Sequence, residues 1–148
     1  MKPLFYFIML FLGVATCSSA QTTQQDESRV AFISSFTQAQ LTNNVEALRK
    51  MFVRNPEIII PSGTGEMQIS KSDFYQLIKQ AGQEQQKCDT FTEITVLTEN
   101  TFIAQINFVY DSYAFQNVLT AEKDGYTWKI TQFKKIFLAA PTQIVVMQ

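Results

Sequence analysis

The chain has 148 residues, 46% of them hydrophobic and 17% charged, with a formal net charge of -1. That length fits one domain plus a targeting segment, and that hydrophobic share supports a real core and excludes a disordered chain. The flat charge balance leaves no electrostatic footprint for nucleic acid, and the complete lack of histidine excludes Ser-His-Asp and Cys-His catalysis, His-ligated zinc and imidazole acid–base work within this chain.

At the N-terminus Lys2 supplies a minimal positive start. Leu4 to Val14 is nearly all apolar, broken only by Tyr6 and Gly13, and small residues follow up to Ala20. This is the three-part pattern of a secretory signal. An apolar run of roughly 11 residues is too short to cross about 30 Å of hydrocarbon as a helix. Ser18 and Ala20 fill the two positions that need small side chains, so residues 1–20 are expected to be removed and the mature protein exported, periplasmic or secreted. The alternative is a lipoprotein anchored through Cys17, the one case in which a membrane association is expected; Thr16 departs from the residue that usually precedes such a cysteine. Cleavage past Ala20 leaves Cys88 alone, so no internal disulfide is possible. Cys88 lies among Gln85, Gln86, Lys87 and Asp89, with no base or metal partner nearby in sequence. Neither a metal nor a cofactor is expected.

Asp26 to Gln40 carries Val30, Ile33 and Phe36 at helical spacing, with polar residues between them. A second short helix follows, with Asn43 and Glu46 as a capping box and Val45, Leu48 and Phe52 on one face, stopped by Asn55-Pro56. Glu57 to Ile60 is a strand ended by Pro61. Ser62-Gly63-Thr64-Gly65 turns it, and Glu66 to Ile69 returns. Ser70 with Asp73 opens a third helix with Phe74, Leu77 and Ile78 on its buried face, ending near Gly82. After a polar loop, four strands are expected: Phe91 to Thr98, Thr101 to Tyr110, Tyr113 to Glu122 and Tyr126 to Leu138. Their short turns, including Lys123-Asp124-Gly125, require antiparallel pairing. Phe102, Ala104, Ile106, Phe108 and Tyr110 share one face of the second of these strands. Lys134-Lys135 reads as a solvated strand end. Pro141 sets off residues 139–148 as a C-terminal tail, which has the pattern of either an extra edge strand or a partner contact.

Two helices, a strand pair, a third helix and a four-strand meander resemble the nuclear transport factor 2-like superfamily, with the SnoaL-like branch most similar. The resemblance covers residues 26–138. It rests on the apolar strand and Pro/Gly segment from Ile58 to Gly65, the helix opening soon after, and Asp124-Gly125-Tyr126-Thr127-Trp128-Lys129-Ile130, which is similar to a recurrent Gly-x-x-Trp-Lys/Arg-Ile hairpin. It implies an α+β fold of cystatin-like type over residues 21–138, in which a curved antiparallel or mixed sheet wraps the N-terminal helices into a cone with a pocket at its open end. It also implies a homodimer through the outer sheet face.

On that architecture Tyr75, Tyr110, Asn117 and Gln132 are the candidate polar tips of an otherwise apolar pocket. Ile103, Val109, Val118, Phe133 and Phe137 are the candidate dimer face, because apolar residues on the outer side of a sheet call for a cover. No catalytic residue is assigned. Isomerase-type members of the superfamily use an Asp base with a Tyr and a protonated Asp. Here the first helix offers Phe32 and Phe36 and no Tyr, and the strand-borne acids Glu93, Asp111 and Glu122 form no matched pair. The expected function is therefore a non-catalytic module binding a small apolar ligand or a partner. The alternatives are a SnoaL- or ketosteroid isomerase-like enzyme working through carboxylate and Tyr, and a purely structural dimerisation module.

Overall fold

The computed structural model describes residues 18–82 and 86–138, with side chains described from residue 24 onward. Residues 1–17 of the expected signal, Cys17 among them, and the tail 139–148 lie outside the described residues. The elements run α1 (Ser18–Leu41), α2 (Val45–Met51), β1 (Phe52–Ser62), β2 (Gly65–Ile69), α3 (Lys71–Gln80), β3 (Asp89–Thr98), β4 (Thr101–Val109), β5 (Ala114–Asp124) and β6 (Thr127–Leu138). The strands form one sheet in the order β2-β1-β6-β5-β4-β3. All neighbours pair antiparallel except β1 and β6, which are parallel. The fold is the expected α+β arrangement, a curved mixed sheet packed on helices.

Helix α1 buries Arg29, Ile33, Phe36 and Ala39, a stripe at three-to-four spacing. Val30, expected on that face, is instead 58% exposed. Arg29 takes its place because its guanidinium finds partners there: Nη1 bonds Asp26 at 2.7 Å, Nη2 donates to the Glu99 carbonyl at 3.3 Å, and the group lies 5.5 Å from the Trp128 ring centroid. Asn43 adopts φ +49°, a conformation its short amide tolerates. The cap of α2 therefore falls one residue later than expected, on Asn44, whose Oδ1 accepts from Ala47 N at 3.0 Å. On α3 the Ser70–Asp73 box forms as expected: Ser70 Oγ accepts from Asp73 N and donates to Asp73 Oδ2. Phe74, Tyr75 and Ile78 are its buried residues, while Leu77, expected among them, is 47% exposed.

The inner sheet face carries the core. Phe102, Ala104, Ile106 and Phe108 of β4 are fully buried, as are Leu119 and Ala121 of β5, which confirms the alternation expected for β4. Phe36 of α1 lies 6.1 Å from Phe133, which also meets Phe52 at 6.0 Å and Phe74 at 5.0 Å. Each such ring removes enough apolar area from water to favour folding by about 1.5–3 kcal/mol. This cluster ties α1, β1, α3 and β6 together.

Strand β6 departs from strict alternation. Between its pairs Ala121↔Ile130 and Thr120↔Gln132 the register slips by one residue, a β-bulge at Thr131 that shifts the face of everything beyond it. Trp128 and Ile130 point inward before the bulge; Phe133 points inward after it. Three expectations are overturned. Gln132 is exposed and faces outward, bonded to Thr120 at 3.2 Å, so it is no pocket residue. Phe133 is 2% exposed in the core, so it is no dimer-face residue. Phe137 pairs with Phe115 and so shares its inner face at the strand end, which removes it from the outer face as well. Ile103, Val109 and Val118 keep the outer face, half-buried.

Candidate functional site

At one end of the sheet the helices stand away from the inner face and leave a cavity of about 540 Å³. Its apolar walls come from Ile60 of β1, Phe74 and Ile78 of α3, Phe108 of β4, Phe115 of β5 and Phe133 of β6. Leu77 and Phe137 stand at its lip, which explains why both are exposed despite their apolar character. The rings are ordered. Phe108 and Phe115 stack at 4.8 Å and 14°, Phe115 and Tyr110 at 5.8 Å and 25°, and Tyr110 and Tyr113 at 4.4 Å and 13°. A near-parallel aromatic wall thus runs from the core to the rim.

The polar contribution comes from Gln40, Asn43, Gln86 and Lys135. Asn43 and Gln86 are engaged with one another. Asn43 Nδ2 donates to the Gly82 carbonyl at 2.7 Å, Gln86 Nε2 donates to Asn43 Oδ1 at 3.3 Å, and the Tyr110 hydroxyl donates to Gln86 Oε1. This chain braces the loop after α3 against the junction of α1 and α2. Gln40 Nε2 is buried with no partner among the described residues. Lys135 is carried inward by the same bulge that turns Gln132 outward. Its Nζ lies 3.9 Å from the Phe115 ring centroid, and burial holds its pKa below the usual lysine value. Its neighbour Lys134 faces the other way and pairs with Glu66 at 2.7 Å. The dipeptide expected to be solvated is therefore split: one ammonium is paired on the outer face, the other lines the cavity.

The sequence-predicted tips separate accordingly. Asn117 is fully buried on the inner face, opposite Lys135 across the β5–β6 pair, and neither of its amide atoms has a partner among the described residues. Tyr110 stands at the rim through its stacking and its bond to Gln86; burial and the adjacent Cys88 thiol push its pKa up. The thiol is itself raised, chiefly by burial. Tyr75 sits outside the cavity, packed between Phe52 and Phe74 with Arg49 and Lys71 over its ring. Its hydroxyl is buried without a partner, and desolvation pushes its pKa up to about 12. Gln132 faces away. Sequence reasoning missed Lys135, Gln40 and Gln86. For Lys135 a signal existed: Trp128 and Ile130 followed by Phe133 is an apolar pattern that changes phase within the strand.

Every Asp and Glu whose exposure is described is exposed, including Glu93, Asp111 and Glu122. Among the described residues no cluster of three or more His, Cys, Asp or Glu side chains is disposed to hold a metal.

A family model described as "Putative lumazine-binding" matches residues 24–137. No match is found among curated proteins. Solved structures are similar in fold. A nuclear transport factor 2-like protein of unknown function from Shewanella baltica superimposes with TM-score 0.68 at 10% identity, over 84% of this chain and 100% of the other. A cystatin-like fold protein from Burkholderia xenovorans gives 0.65 at 15% identity, over 80% and 95%. A protein from Parabacteroides distasonis described as a "putative ketosteroid isomerase" gives 0.54 at 15% identity, over 72% and 84%. With its meander wrapped on the helices and its cavity at one end of the sheet, the chain belongs to the family described as "Putative lumazine-binding" and has the fold of nuclear transport factor 2-like proteins.

Proposed function

We infer that this chain is an exported, non-catalytic module that holds a small, largely apolar molecule in the open end of its cone. The observation that carries this reading is the cavity itself: about 540 Å³ with a stacked aromatic wall, a size and lining usual for small-molecule sites. The family's description as lumazine-binding agrees with a small-ligand role and makes a lumazine one compound to test. The open cavity disfavours a purely structural module. An isomerase-like activity would need a desolvated carboxylate beside the ligand, and the described carboxylates are all exposed. Export rests on the signal pattern of residues 1–20, and mass spectrometry of the mature N-terminus tests it. The outer face with Ile103, Val109 and Val118 is the surface proposed for a second copy.

The binding reading is tested with N-phenyl-1-naphthylamine, a neutral dye that fluoresces when sheltered from water. The dye is expected to brighten with the protein, and Leu77→Trp at the lip is expected to weaken its binding by about tenfold. Leu77 is exposed, so this change obstructs the mouth without entering the core. No brightening, or brightening untouched by Leu77→Trp, rejects the site.

A further inference from the structure

Two polar groups that line the cavity are hydrogen-bond donors. Gln40 presents a buried NH2 group without a partner. Lys135 presents an ammonium that has no ion pair among the described residues, while its neighbour Lys134 has one. The potential acceptors on the same wall are already occupied: Gln86 Oε1 by Tyr110, Asn43 Oδ1 by Gln86. Of the groups that line the cavity, Gln40 Nε2 and Lys135 Nζ are donors outside that chain of bonds. The Phe115 ring face, 3.9 Å from Lys135 Nζ, compensates part of the ammonium's lost hydration. A ring contributes about 0.5–2 kcal/mol in such contacts, less than the several kcal/mol that desolvating an ion costs. Asn117, directly opposite Lys135, is fully buried with both amide atoms unsatisfied, although buried polar groups ordinarily find partners.

Resting on the ligand-binding reading above, we propose that the cavity takes an aryl acid: a compact carboxylate that ion-pairs with Lys135, with Gln40 as a second donor, on a flat apolar body that continues the stack of Phe108 and Phe115. A carboxylate supplies two acceptor oxygens. The water-poor wall strengthens its attraction to the ammonium, and the near-parallel rings favour a flat body over a bulky one.

Isothermal titration of the purified full chain with 2-naphthoate and with 2-naphthamide separates the acid from its neutral isostere. Indole-3-acetate and its amide provide a second pair. The acid of each pair is expected to bind about tenfold or more tighter than its amide. Lys135→Met and Lys135→Gln are both expected to erase that preference, each weakening the acid about tenfold more than its amide. Circular dichroism confirms that each variant folds. Equal binding of acid and amide to the unmodified protein, or a preference that survives in both variants, overturns the acid while leaving the cavity reading intact. If neither pair binds and N-phenyl-1-naphthylamine does not brighten either, the cavity reading fails and the acid falls with it. If the dye binds and both pairs do not, the acid alone is rejected.

Discussion

The two ends of the cone are built on opposite terms. At the closed end Trp128 Nε1 donates to Ser28 Oγ at 2.9 Å, the indole meets Phe102 edge-on at 4.8 Å, and Arg29 covers it while bonding Asp26 and the Glu99 carbonyl. At the open end, roughly 16 Å further along α1 by helical rise, Gln40 Nε2 has no partner and Lys135, over the Phe115 ring, has no ion pair among the described residues. The same sheet and the same helix serve both ends. One end engages both terminal nitrogens of Arg29 and the Trp128 indole, with Arg29 Nε alone left over, and fastens the N-terminal helix to the β5–β6 hairpin. The other leaves polar groups of its lining without partners among the described residues, an arrangement that lowers stability and suits the ligand-binding role proposed above.

The largest expected effect lies at the closed end. Trp128→Ala removes the ring on which Arg29, Phe102 and Ser28 converge. It is expected to destabilise the protein by about 3–5 kcal/mol, the usual cost of emptying a buried aromatic site. Urea unfolding followed by far-ultraviolet circular dichroism measures this. A loss below about 1 kcal/mol would mean that α1 is held from elsewhere and that the two ends do not differ as described.

At the open end the sign reverses. Lys135→Met replaces an unpaired, half-buried cation with an apolar chain of similar length, and is expected to raise stability by about 1 kcal/mol. The pH dependence follows from the lowered lysine pKa. Below the folded-state value both folded and unfolded chains are protonated, and the penalty is complete. Between the folded value and the ordinary value of 10.5 the unfolded chain binds more protons, so wild-type stability rises with pH. The advantage of Lys135→Met should therefore shrink as the pH approaches 10.5. Groups common to both chains cancel in the difference. A destabilising Lys135→Met, or an advantage that does not change with pH, would show that the ammonium has a partner in the folded chain.

The sequence revealed these two ends unequally. The closed end was legible because its marks are local: the Gly125 turn fixes the hairpin, and Trp128 and Ile130 follow it with period two. The β4 alternation was equally direct, since one side of the strand is nearly all apolar. The open end was misread beyond Thr131, because a single extra residue reverses every later side chain. Strict alternation carried Gln132 inward and Lys135 outward. The phase change from Ile130 to Phe133 was the available sign, and Gln132 inside the core would have been its contradiction. The parallel pairing of β1 with β6 leaves no local trace, because no turn joins the two strands. Gln40 and Gln86 are polar residues near a helix end and in a loop, where sequence gives no reason to prefer a cavity to solvent.

Tyr75 sharpens the comparison with the smallest effect. Like Gln40 it carries a buried polar group without a partner among the described residues, but it lies outside the cavity, against Phe52 and Phe74. A hydroxyl left unsatisfied there serves no ligand, so Tyr75→Phe is expected to leave ligand binding unchanged. At neutral pH it should alter stability by less than about 1 kcal/mol, with a gain more in keeping than a loss, because no bond is broken and a desolvated donor is removed. The difference should grow in alkali. The folded phenol titrates at about 12 and the unfolded one at 10.0. Between those values the folded chain keeps a proton that the unfolded chain has released, so stability falls as pH rises in the wild type. With Phe in place that loss disappears, and the variant pulls ahead of the wild type through the window from 10.0 to about 12. Paired denaturant titrations at pH 7, 10 and 11 measure it. A loss of more than about 1 kcal/mol at pH 7 would show that the hydroxyl has a partner after all, and the contrast between an idle group beside the cavity and an idle group away from it would no longer hold.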